Sequence, residues 1–141
     1  MEKALYTAKA TAEGGRDGKV SSSDGTLDLT LSTPKSLGGK EEDGATNPEQ
    51  LFAAGYAACF DGALNLVASK DKKKIESRVT AEVSIGKDTD GGFGLAVGLN
   101  VGVNGVSKQE AEELVEKAHG FCPYSKATRG NIDVQLKTEL I

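Results

Sequence analysis

Basic charge is short in this sequence: 17 lysines and arginines face 21 aspartates and glutamates, for a net charge of −4 and a pI near 5.1. Phosphate binding needs a basic face, so nucleic acid is not expected as a partner. No strictly apolar run exceeds about ten residues where a bilayer span needs ~20, so no membrane association is expected either. The opening MEKALYTAKA has no apolar core of the kind a secretory signal carries, and a cytoplasmic location is expected. Cysteine is scarce, with only Cys59 and Cys122. In a reducing cytosol two cysteines rarely form a structural disulfide, and a pair that meets there is more often catalytic or redox-active. Histidine is scarcer still, and His119 is the only one.

Glycine, by contrast, is abundant: 18 residues, roughly 13% against a usual ~7%. These glycines sit inside ordered-looking segments and imply tight turns and close backbone contacts. A chain of this length is read as one domain, 1–141, able to bury roughly 70% of its unfolded surface. Its organising stretch runs from Asn47 to Ser69. Asn47 is a favourable N-cap, Pro48 fits the first helical position, and Glu49 places negative charge at the positive end of the helix dipole. From Leu51 to Phe60 the only polar side-chain atom of an uncharged hydroxyl type is that of Tyr56. A helix apolar all round must be covered on all sides, so this one is expected to be central and buried.

Strands are expected at residues 4–12, at 19–23 and 26–31 (a hairpin joined at Asp24-Gly25), at 79–85, at 93–103 and at 132–140. The stretch 32–46 is a long charged, glycine-rich loop of the kind that usually serves a site. Lys70 to Lys74 reads as a solvated helix end. In the strand at 93–103 one face carries Gly94, Ala96, Gly98 and Gly102, so something must lie close against it. A second helix opens at Ser107, with Glu110 completing a capping box, and runs to about His119. Pro123 suggests a further helix, with Cys122 at its N-cap and Gly130 ending it. The fold class is therefore α+β: an antiparallel sheet with helices gathered on one face, packed on the long central helix.

Composition and spacing leave several chemistries open. Cys59 is either inert filling, since a free thiol behaves as a small hydrophobe, or half of a redox pair. Cys122, at a helix N-terminus, is favoured as a thiolate. A zinc site from Cys59, His119 and Cys122 lacks an evident fourth ligand. A cysteine nucleophile activated by His119 for acyl transfer is a further reading, although His119 reads more simply as a cation at a helix C-terminus.

Two long segments narrow this. TNPEQLFAAGYAACF at 46–60 and AHGFCPYSKATRGNIDV at 118–134 resemble the two signatures of the organic hydroperoxide resistance proteins, a branch of the OsmC superfamily. EGGRDG at 13–18 and LSTPKSLGGK at 31–40 match as well, with Lys126 the one mild departure, at a position expected to be exposed. The resemblance implies an OsmC-like intertwined homodimer with sites at the subunit interface. It implies a cysteine-based thiol peroxidase that reduces organic hydroperoxides to alcohols, with Cys59 peroxidatic and Cys122 resolving. Arg16 and Glu49 match the pair that activates the peroxidatic thiolate. It implies recycling by dihydrolipoamide or a lipoylated protein, and no metal or bound cofactor. The alternative is a stress-induced redox or small-molecule binding protein of the same fold without turnover. Cys59 follows Glu49 by ten positions on one expected helix, or roughly 15 Å along its axis. Unless that helix breaks, the two would meet only across a dimer.

Overall fold

A computed structural model describes all residues, 1–141. Contacts divide the chain into two compact units, Met1–Leu51 and Phe52–Ile141.

The first unit holds a three-stranded antiparallel sheet, β1 (Ala10–Glu13), β2 (Lys19–Ser22) and β3 (Asp28–Thr30), in that order. The turn between β1 and β2 depends on glycine: Gly14 and Gly15 have positive φ, and a Cβ on Gly18 would stand 1.7 Å from the Glu13 carbonyl oxygen. No side chain fits there, so the loop carrying Arg16 has one shape. The Asp24-Gly25 turn closes the β2–β3 hairpin as expected, with Asp24 accepting from Ser22 Oγ at 2.6 Å and Gly25 at φ 77°. The strand expected over 4–12 is shorter. Leu5 and Tyr6 are 97% and 83% exposed, because within the chain no strand lies beside them. The long loop is tied down by Asp17, which accepts from the Thr33 backbone N–H at 2.9 Å and from its hydroxyl at 3.0 Å.

Helix α1 (Pro48–Lys70) starts where the first unit ends and supplies the second with its central element. Asn47 caps it as expected, its Oδ1 accepting from Gln50 N at 2.8 Å. The expectation that α1 is covered on all sides is not met within one chain. Tyr56, Phe60, Ala63, Leu64, Val67 and Ala68 are buried, whereas Ala54, Ala58, Gly62 and Leu66 are exposed. At helical spacing the exposed four form a separate stripe. By length and composition α1 is also long and apolar enough to cross a membrane, at 23 residues with an 18-residue stretch of mean hydropathy 1.4. The strictly apolar run is shorter because Asp61 and Asn65 interrupt it, and both hydrogen-bond Ser77 of the neighbouring strand.

In the second unit, β4 (Glu76–Lys87) and β5 (Phe93–Asn104) pair antiparallel over twelve residues. The last strand, β6 (Val134–Leu140), joins β5 in parallel, which corrects the all-antiparallel reading. The reason lies in the connection: α2 (Lys108–Phe121) and α3 (Pro123–Thr128) carry the chain back before β6 begins, and only such a crossover permits parallel pairing. The Ser107–Glu110 capping box is present at the start of α2. The bare face of β5 is met at Gly102, where a Cβ would stand 2.7 Å from Ile141 Cγ2. Buried side chains of α1, β5 and α2 form one core, with Leu64, Leu99, Val101, Val103, Leu114 and Val115 at its centre. Each contributes about 1.5–3 kcal/mol by leaving water. That core includes Cys122, and Cys59 packs against it.

Candidate active site

Within the second unit the two cysteines meet. Cys59, half-buried on α1, lies 3.6 Å sulfur to sulfur from Cys122, with the Cys122 thiol donating. Cys122 is fully buried at the junction of α2 and α3. Both are free thiols, and a disulfide would need the sulfurs about 1.5 Å closer, at ~2.05 Å. Burial pushes the Cys59 thiol above its ordinary range, opposed by the Tyr124 backbone N–H, which donates to Cys59; the neighbouring Cys122 adds to the rise. The amide in the first turn of α3 thus serves Cys59, and not Cys122 as the position of Cys122 at the helix N-terminus suggests.

An aromatic wall adjoins the thiols. Phe52, Tyr56 and Tyr124 pack with ring centroids 5.6 to 6.3 Å apart. Gly55 makes room for it, since a Cβ there would stand 2.8 Å from Tyr124 Oη.

Beneath the wall lies a polar cluster that sequence reasoning missed. Tyr56 Oη is 2.8 Å from Ser125 Oγ and 3.2 Å from Thr128 Oγ1, and His119 Nδ1 is 2.9 Å from the same Ser125 oxygen. Burial, with the charge of Arg129 adding, pushes His119 down, while Glu116 opposes. His119 is therefore a neutral, half-buried hydrogen-bonding group at neutral pH and not the helix-end cation expected from its position. No three histidine, cysteine or acidic side chains cluster as a ligand set. Only the spacing of His119, Cys122 and Ser125, three residues apart in turn, could have hinted at a shared face.

The first unit builds a second constellation. Arg16 and Glu49 make a two-point contact, Nη1 to Oε2 at 3.0 Å and Nη2 to Oε1 at 2.6 Å. The guanidinium holds the Glu49 carboxyl below the usual carboxylate range, and Glu49 raises Arg16 in turn. Two parallel charge-assisted bonds fix the plane of the guanidinium, which one bond would leave free to rotate.

Three comparisons bear on this arrangement. The family model described as "OsmC-like protein" matches residues 39–137. The organic hydroperoxide resistance protein of Xanthomonas axonopodis pv. citri is 59% identical over 136 residues, covering 96% of this chain and 95% of its own. The organic hydroperoxide resistance protein OhrA of Bacillus subtilis is 57% identical over 138 residues, covering 97% and 98%. Among solved structures, an organic hydroperoxide resistance protein from Elizabethkingia anophelis superposes with a TM-score of 0.93 at 54% identity, covering 99% of both chains.

Proposed function

Because the chain belongs to the organic hydroperoxide resistance branch of the OsmC-like family, we propose that it is a thiol peroxidase in which Cys59 attacks and Cys122 resolves. The observation that carries this reading is the meeting of two free thiols at 3.6 Å, one half-buried and the other fully buried. The Cys59 thiolate attacks the distal oxygen of the hydroperoxide. The O–O bond breaks, Cys59 takes the distal OH and becomes a sulfenic acid, and the departing alkoxide takes up the proton that the Cys59 thiol had released and leaves as the alcohol. The Cys122 thiol then condenses with it, forming the disulfide and releasing water. Burial alone opposes thiolate formation at Cys59, so the reaction needs a fixed positive charge. Arg16, its plane held by Glu49, is the group we assign to supply it. The wall of Phe52, Tyr56 and Tyr124 favours hydroperoxides with alkyl or aryl substituents over hydrogen peroxide.

The disulfide is returned to two thiols by dihydrolipoamide or a lipoylated protein, whose slim dithiol arm suits an apolar cleft. The active form is a homodimer in the cytoplasm, in which a second copy covers the exposed small-residue stripe of α1. Steady-state turnover of cumene hydroperoxide with dihydrolipoamide tests the proposal. Turnover that is lost in Cys59→Ser supports it, and no turnover by the reduced wild-type protein would leave a binding role in its place.

A further inference from the structure

Tyr56, Ser125 and Thr128 are all buried, yet none of their polar atoms is left without a partner. One arrangement places a proton in every one of the four contacts among them. Thr128 Oγ1 lies 3.1 Å from the Ser125 carbonyl oxygen, which can only accept, so the threonine proton goes there. In that arrangement the tyrosine donates to Thr128 and Ser125 donates to Tyr56. The Ser125 hydroxyl has no proton left for His119, so the imidazole donates through Nδ1–H. The chain reads His119 Nδ1–H to Ser125 Oγ, to Tyr56 Oη, to Thr128 Oγ1, to the Ser125 carbonyl. Four protons make four bonds. Were Nδ1 an acceptor, the order would reverse and one of the four contacts would hold no proton.

This chain ties together the elements that carry the thiols. Tyr56 lies one turn before Cys59 on α1, His119 one turn before Cys122 on α2, and Ser125 three residues after Cys122 on α3. The 2.8 Å bond between Tyr56 and Ser125 therefore spans the same pair of helices as the 3.6 Å gap between the sulfurs. Arg129, at the other end of α3, donates to the His119 carbonyl at 2.6 Å and closes the frame.

We infer that His119 is a positioning residue for disulfide formation: by donating Nδ1–H to Ser125 it polarises the buried chain that holds α3 against α1 and keeps Cys122 within reach of Cys59. The inference rests on the two-thiol reading above and adds a residue to which that reading gives no task. His119 touches neither sulfur and acts only through Ser125. Protonation of the imidazole leaves Nδ1–H in place, so the positioning does not switch with its charge.

Single-turnover kinetics separate the two claims. Reduced protein is mixed with cumene hydroperoxide, Cys59 sulfenate is followed by trapping with a cyclic 1,3-dione, and disulfide formation by loss of free thiols. If wild-type protein forms no sulfenate, the peroxidase reading fails before this one is reached. In His119→Ala, sulfenate formation should stay within about twofold of wild type while the disulfide forms about tenfold more slowly, the worth of one buried hydrogen bond. His119→Asn, whose amide N–H can occupy the place of Nδ1–H, should restore the rate to within about threefold, and the equally sized acceptor-only His119→Asp should not. Ser125→Ala should slow the same step, with no further loss when His119→Ala is added to it. Wild-type disulfide formation in His119→Ala, equal rates in the Asn and Asp variants, or additive losses in the double variant would each overturn the inference. Should His119→Ala not fold, the Asn and Asp comparison still decides it.

Discussion

Replacing Tyr56 by phenylalanine removes one oxygen from the middle of the core and keeps the ring. That oxygen lies 2.8 Å from Ser125 Oγ and 3.2 Å from Thr128 Oγ1, and the two partners are 0% and 5% exposed, so water does not replace it. Without it Ser125 and Thr128 each lose a buried partner, while Thr128 keeps its bond to the Ser125 carbonyl. A buried hydrogen bond left unmade costs about 1–3 kcal/mol, and two contacts at one buried oxygen are lost here. The expected destabilisation is about 1.5–3 kcal/mol, or about 5–10 °C in Tm for a chain of this length. Urea unfolding at one fixed protein concentration measures it, since a dimer's stability depends on concentration. Tyr124→Phe is the matched control. Its hydroxyl is at the edge of the fold, in a residue 39% exposed, and makes no hydrogen bond, so its loss should stay within about 0.5 kcal/mol. A Tyr56→Phe loss below about 0.5 kcal/mol at unchanged m, or equal losses for the two tyrosines, would refute the reasoning.

Much of this fold is legible in the sequence where its causes are local. Asn47 and Pro48 start α1, and Ser107 with Glu110 starts α2, because a cap needs only residues within one turn. The turn at Asp24-Gly25 and the third helix after Pro123 are legible for the same reason. What fails is non-local. The parallel pairing of β6 is set by a crossover of two helices, and alternation along residues 132–140 is the same in either direction. Coverage of α1 is misread because an apolar stretch shows that a surface must be buried without showing what buries it. The partners of Tyr56 stand 69 and 72 positions away, and its hydroxyl gives no sign of them. His119 looks like a helix-end cation until the core that neutralises it is in place. Cys59 and Cys122 were brought together in the sequence by family resemblance, and within the second unit it is packing that puts their sulfurs 3.6 Å apart.

The remaining expectations concern chemistry and assembly. Cys59→Ser should abolish peroxide consumption, and Cys122→Ser should react once and stop with Cys59 oxidised; intact mass spectrometry showing Cys122 oxidised at the wild-type rate in Cys59→Ser would reverse the roles. Glu49 is held below the ordinary carboxylate range by Arg16, so its contribution to stability is complete above about pH 4.3 and is lost as the pH falls through its lowered value. Acid titration of Glu49→Gln should therefore fall less steeply below that pH than wild type, and superimposable curves would show the pair to be without weight. Reduction of the disulfide should be much faster with dihydrolipoamide than with thioredoxin or glutathione, and equal stopped-flow rates would remove the lipoyl arm from the proposal. The last expectation is that the site is shared between subunits. α1 runs unbroken from Pro48 to Lys70, and Gly55 weakens it by only about 1 kcal/mol relative to alanine. Ten residues of helix rise separate Glu49 from Cys59, roughly 15 Å, which no glutamate side chain covers. A second copy packed on the exposed stripe of Ala54, Ala58 and Gly62 would bring one chain's Arg16–Glu49 pair toward the other's Cys59. Glu49→Ala and Cys59→Ser proteins, each inactive alone, should then recover about a quarter of wild-type activity when refolded together, because half of a statistical mixture is heterodimer with one intact site of two. If verified heterodimers stay inactive, each chain completes its own site, and the shared-site reading is overturned.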